Sequence, residues 1–336
     1  MRLLQITLTR QAHELLADIL TGIESERMLP GIENSEAVFL QIIVRASNAE
    51  PLMDQIEKRL GKQHKFTMLL LPISATIPRL PEADEQDEDK EEVKQLSDKG
   101  ANRVSREELY SNINAGINNL QYYVAMVVIA CVVAAIGLIR NDIAIIIAAM
   151  VIAPLLGPNM ALSLATTLAD KELAKVAAWL SLLGATISII IAAAIGYFVE
   201  IDPSVSAISA RTTLGVSDLI LALASGVAGA LAFTAGAPAT LIGVMVAVAL
   251  MPPLVTSGML FGSGYWSLAS NALWLTLANV ICVNLAGVAT FVWQGVRPLS
   301  WWEKSKAKKA SRNAAVIWIV LFTILLALIN FNFIGA

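Results

Sequence analysis

Histidine, cysteine and charge are all scarce in this chain, and each shortage removes a class of function. The two histidines, His13 and His64, are isolated near the N-terminus, so no histidine-based metal cluster or catalytic pair is visible downstream. The two cysteines, Cys131 and Cys282, both sit in apolar runs. They define no disulfide framework and no zinc site, and read as small packing residues. Charged residues make up only 15% of the chain and the net charge is −3, which gives no general affinity for nucleic acid. No nucleophile–base pair and no phosphate loop is visible, so the reading is of a non-enzyme with no cofactor. No acid or base lies well inside an apolar run, so a buried carboxylate relay of the proton-pump kind is not visible. The opening MRLLQITLTRQAHELL lacks an apolar core followed by a small-residue cleavage site. A signal peptide is therefore not expected, and insertion should begin at an internal segment.

Apolar residues, by contrast, reach 56%, above the roughly 45–50% of a soluble domain. The excess lies downstream of Tyr122, in runs of about 20 residues that suit a bilayer. Upstream, residues 1–80 read as a small α+β domain. Leu4, Ile6 and Leu8 alternate as in a strand, and Leu15, Leu16, Ile19, Leu20 and Ile23 have helical spacing. Residues 28–32 are a weak strand candidate. AVFLQIIVRA (37–46) is β-branched and strand-like. Asn48 suits an N-cap for a helix to Leu60, and 65–77 forms a last strand. The order β-α-β-β-α-β is the ferredoxin-like plan. Residues 81–103 begin with the acidic PEADEQDEDKEE and read as a disordered linker. Ser105-Arg106-Glu107-Glu108 is a capping-box signature opening an amphipathic juxtamembrane helix over 104–121.

Residues 122–336 then predict a polytopic α-helical membrane domain. Seven spans fit, at about 122–139, 143–165, 173–199, 214–234, 238–261, 268–293 and 313–333. The segment between the last two carries Arg297, Lys304, Lys306, Lys308, Lys309 and Arg312 against Glu303, and Lys171 with Lys175 follows the second span. The positive-inside rule puts these loops and the N-terminus in the cytoplasm and the C-terminus outside. The expected location is the bacterial inner membrane.

A repeat is written into the spans. Shifted by 95 residues, AIIIAAMVIAPLLGPNMAL (144–162) falls on ATLIGVMVAVALMPPLVTS (239–257), pairing Met150 with Met245 and Pro158 with Pro253, and later Trp179 with Trp274. Three spans per copy is an odd number, so the copies should be inverted (a 3+3 arrangement plus one span), as in many secondary transporters. Pro154, Gly157 and Pro158 interrupt one copy; Pro252 and Pro253 interrupt the other. Proline removes a helical donor and clashes with the preceding turn, so matched unwinding is expected at both places. With Asn159, Thr256, Ser257 and the deep Asn279 and Asn284, these residues form the candidate solute or ion pathway.

The segments SREELYSNI (105–113), MVIAPLLGPNMAL (150–162) and ASGVAGALAFTAGAPATLIGVMVAVALMPPL (224–254) resemble the bacterial hydrophobic proteins grouped as domain of unknown function 389. That resemblance implies a membrane location and brings no substrate or functional residue with it. The leading functional expectation is a channel or secondary carrier for a small solute or ion, with a cytoplasmic domain that regulates it or holds a homo-oligomer together. The rival is a membrane sensor or scaffold whose soluble domain carries the function, and an intramembrane enzyme stands third.

Overall fold

The computed structural model describes residues 1–16, 28–33, 38–44, 46–60, 65–73, 104–105, 108–110, 119–237 and 239–296, with single helical positions at 316, 318, 320 and 323. The acidic segment 81–103, most of the helix expected at 104–121, the basic stretch from Arg297 and nearly all of the span expected at 313–333 lie outside the described residues. The chain divides into two compact units, Met1–Leu109 and Tyr110–Ala336.

In the first unit the alternating side chains do what their spacing requires. Strand β1 (Arg2–Leu8) buries Leu4, Ile6 and Leu8, and β3 (Val38–Val44) buries Val38, Leu40, Ile42 and Val44. β1 pairs antiparallel with β3 and with β4 (Phe66–Pro72), while β2 (Met28–Glu33) lies outside β3. The order is β2-β3-β1-β4. Helices α1 (Arg10–Leu15) and α2 (Ala46–Leu60) contribute Ala12 and Ala49, Met53, Ile56 and Leu60 to the same core. The connectivity and strand order are those of the split βαβ plan. One local detail differs: α2 begins at Ala46, so Asn48 lies inside its first turn and is not the cap. The Ser105 half of the capping signature is realised, with its hydroxyl oxygen accepting the Glu108 N–H at 3.2 Å. Glu108 also receives a forked ion pair from Arg2 at 3.0 and 3.2 Å, so the start of that helix is tied to β1.

The second unit is helical, and three of its helices start where a polar side chain takes orphan N–H groups. Asn119 caps α3 (Leu120–Ile139), Asp142 caps α4 (Ile143–Ile152) and Asp170 caps α6 (Lys171–Phe198). Between α4 and α6 lies α5 (Leu156–Leu168). After the short α7 (Ser206–Ser209) come α8 (Val216–Thr234), α9 (Ala239–Gly262) and α10 (Trp266–Trp293). Four of these, α3, α6, α8 and α10, are long and apolar enough to cross a membrane, and α4 with α5 makes a fifth if the bent pair counts as one span. Large apolar side chains such as Trp179, Leu182, Ile190 and Ile220 are exposed on the outside of the bundle, the arrangement that lipid rather than water favours.

Helix α9 is the axis of this unit. It packs against α3, α4, α5, α6, α8 and α10, and every residue from Ala249 to Leu260 is buried. A helix that is apolar all round is a buried helix. Backbones approach closely along it. A Cβ on Gly262 would collide with the Ala193 carbonyl, and one on Gly258 would stand 2.5 Å from Ala192 Cβ. Gly258 and Gly262 are thus the small-residue pair that lets α9 and α6 touch.

Two registers recur in these contacts. Tyr123 of α3 donates to the Leu180 carbonyl of α6, and Cys131 donates to that of Ser188, both at a separation of 57 residues. The helices therefore run parallel. Gly226 of α8 sits against the Val283 carbonyl of α10 at the same separation. The bounds of α6 and α10 differ by 95 residues at both ends.

Candidate functional site

The two proline motifs fold differently. Ahead of Pro154, Ala153 is extended (φ −65°, ψ 120°), as the steric demand of a following proline favours. Helix α4 stops there, α5 restarts at Leu156, and Ile143–Ile152 and Gly157–Leu168 are bent by 52°. Pro158 falls in the first turn of α5, where no intrahelical N–H is needed. This break is the one the sequence predicts.

Pro252 and Pro253 correct the second expectation, because α9 runs through them as a helix. Pro253 cannot give an N–H to the carbonyl of Ala249, four residues earlier, and the side chain of Asn279 takes that place. Its Nδ2 donates to the Ala249 oxygen at 2.6 Å. A neighbouring helix therefore supplies the missing donor, and the proline pair is accommodated without unwinding.

The predicted site residues separate into two groups. In the first, Asn159 of α5 and Asn284 of α10 meet directly. Asn284 Nδ2 donates to Asn159 Oδ1 at 3.0 Å and to the Val280 carbonyl at 2.9 Å. Asn159 Nδ2 donates back to the Leu155 carbonyl beside the break at 2.8 Å. Ser163, one turn beyond Asn159, donates to Asn284 Oδ1 at 3.0 Å. Sequence reasoning missed Ser163, although its place four residues after Asn159 on one helical face was a usable signal. Gly287 makes room for it, since a Cβ there would lie 2.7 Å from Ser163 Oγ. Pro158 is buried beside this network, and Pro154 and Gly157 are half-buried.

The second group lies on α9 and α10. Ser257 donates to the Ala269 carbonyl at 2.9 Å and ties the two helices together. Thr256 is wholly buried and Asn279 is 5% exposed, yet Thr256 Oγ1 and Asn279 Oδ1 have no hydrogen-bond partner. No described hydrogen bond joins the two groups. A cleft of about 360 Å³ lies elsewhere, lined by Tyr197, Glu200, Ser263 and Tyr265 among others, at the ends of α6 and α9. It contains none of the predicted residues. Among the described residues no cluster of His, Cys, Asp or Glu could hold a metal ion.

No solved structure matches this chain. An uncharacterized protein of Methanocaldococcus jannaschii, MJ0678, is 35% identical over 295 residues, covering 87% of this chain and 88% of its own length. This relative is archaeal, which widens the bacterial setting expected from the sequence. The family described as Domain of unknown function (DUF389) matches residues 150–285, from the end of α4 to Asn284 and its neighbour. Both proline motifs and both groups of buried polar residues fall within that match, and the chain belongs to the DUF389 family.

Proposed function

We propose that this chain is a membrane transport protein, a channel or secondary carrier for a small solute or ion, built from an inverted pair of three-span repeats. The observation that carries the reading is a reciprocal contact. Ala192 of the first copy touches Gly258 of the second, and Ser163 of the first touches Gly287 of the second. Under the 95-residue shift Ala192 corresponds to Gly287 and Gly258 to Ser163, so each contact is the image of the other. Contacts that exchange partners in this way are the mark of a two-fold relation between the copies. The repeated 57-residue register agrees with it. With three spans in each copy the axis lies in the membrane plane, the plan of many secondary transporters. The buried, unpartnered oxygens of Thr256 and Asn279, both in the second copy, are polar groups of the kind a static core avoids.

On this reading α4 and α5 together form one broken span. The described helices then supply six spans and residues 313–333 a seventh, with the N-terminus cytoplasmic and the C-terminus outside. The first unit regulates the spans or holds copies together as a homo-oligomer. A second reading, the sensor or scaffold, is favoured by the complete hydrogen bonding of Asn159, Ser163 and Asn284, which suits a static bundle. Flux into proteoliposomes containing the purified full chain separates them. Transport predicts uptake of at least one class of small solute above empty vesicles, and no uptake across alkali cations, halides and neutral polyols would leave the scaffold standing.

A further inference from the structure

We propose that the stretch of α9 from Val248 to Pro253, together with Asn279 of α10, binds a small monovalent cation. The inference rests on the transport reading and names the class of substrate or coupling ion. It starts from covalent structure. Two adjacent prolines withhold two successive N–H groups, so the carbonyls of Val248 and Ala249 both lack their helical donors. Asn279 Nδ2 takes only the second, at 2.6 Å. That bond also fixes the amide, leaving Oδ1 beside α9 with no donor of its own. Thr256 Oγ1, again buried without a partner, stands two turns, about 12 Å, beyond position 248 on the same face, a second polar step along it and not a ligand of the same ion. The face therefore offers oxygen atoms, the negative ends of dipoles, in a setting from which lipid and packing exclude bulk water.

The composition of the surroundings decides the class. Helices α9 and α10 contain no Lys or Arg, so an anion would find no counter-charge. They contain no Asp or Glu either, and Asp218 at the start of the packed helix α8 is engaged by the Gly215 N–H, so α9 and α10 offer none of the carboxylates that divalent ions favour. Carbonyl, amide and hydroxyl oxygens are the ligands with which membrane proteins replace the hydration shell of an alkali ion.

The test uses the full chain in two measurements. Thermal melting of detergent-purified protein is followed in sodium, potassium or thallium(I) salts against N-methylglucamine at equal ionic strength. Thallium(I) influx into proteoliposomes is followed by quenching of a trapped dye, with iodide, magnesium and glycerol as the other probes. Wild type should melt higher in at least one alkali or thallium salt and pass thallium(I) but neither iodide nor magnesium. Asn279→Leu should lose the cation-dependent shift and at least tenfold of the influx. Asn279→Asp, which keeps an acceptor and adds charge, should retain the shift even if its basal melting point falls. A wild-type protein that passes iodide or glycerol and excludes thallium(I) overturns the cation site while sparing transport. A cation-dependent shift without any flux supports the site and sinks transport. Absence of both, or an Asn279→Leu protein matching wild type in shift and influx, overturns the proposal.

Discussion

Asn284 makes or receives three of the side-chain bonds that join α5 to α10, so its loss is felt at more than one atom. Asn284→Ala leaves Asn159 Oδ1 without its donor and deprives the Ser163 hydroxyl of its side-chain acceptor. A buried polar group stripped of its partner costs about 1–3 kcal/mol, although hydrogen bonds between membrane helices average nearer about 0.6 kcal/mol. Ser163 also reaches backbone carbonyls of Asn159 and Asn284, which softens the loss. We expect destabilisation of about 1–2 kcal/mol, measured by denaturant titration in detergent. Asn159→Ala in the same background should add much less than it does alone, because both act through one network. Additive losses would show that the two asparagines act independently. Gly262 is a sterner case. Its missing side chain is a requirement, since a Cβ would collide with the Ala193 backbone. Overpacking costs about 1–3 kcal/mol when side chains can yield, and here the obstacle is backbone. Gly262→Leu should therefore lower the melting temperature more than Gly157→Leu, whose Cβ position is open.

At the scale of elements, much was legible in the sequence. Apolar runs ending in Asn, Asp and Gly located α3, α6, α8 and α10 to within a few residues, because caps and turns are written in local residue types. The break at Pro154 was legible for the same reason, as a proline acts on the residue before it. The fate of Pro252 and Pro253 was not. It depends on Asn279, a residue distant in sequence on another helix, and no local rule assigns a side chain as the replacement donor. The Asn159–Ser163–Asn284 network was half legible: both asparagines stood out as polar residues at depth, but their meeting is tertiary. The turn between α6 and α7 carries its own prediction. Hydrogen bonds from Ser204, the side-chain one foremost and then the backbone N–H at 2.9 Å, hold the Asp202 carboxyl below its ordinary value. A depressed carboxylate stabilises above the unfolded value of about 3.9 and loses that contribution as pH falls through the folded value. The amide protection factor at Ser204 should thus be flat from neutral pH to about pH 4 and fall only below it. Asp202→Asn should abolish the step, and a decline already complete by about pH 5 would rule Asp202 out as its cause.

Across the whole molecule, parity ties the helices to the two sides of the membrane. Helices α3 and α6 run parallel, as the Tyr123–Leu180 and Cys131–Ser188 bonds require. The chain leaving α3 must therefore return before α6 begins, and only α4 and α5 are available to bring it back. Tyr110, ahead of α3, supports this. Its hydroxyl is raised in pKa by desolvation and by the charge and hydrogen bonding of Asp170, the cap of α6, so Tyr110 lies beside the start of α6. At the other end, Asn141 accepts the Ala207 N–H at 3.0 Å, which joins the end of α3 to the short helix α7 that follows α6. Single-cysteine labelling in sealed cells reads this arrangement directly, in a background with Cys131 and Cys282 replaced by Ala. With the N-terminus inside, Asn141→Cys and Glu200→Cys should react with a membrane-impermeant maleimide added outside, while Lys171→Cys should react only after permeabilisation. A reporter fused near Lys308 should be cytoplasmic and one after Ala336 external. Outside labelling at Lys171→Cys together with Asn141→Cys would make α4 and α5 a re-entrant loop. That outcome would remove the odd number of spans from the first copy, and with it the inversion on which the two-fold transport architecture depends.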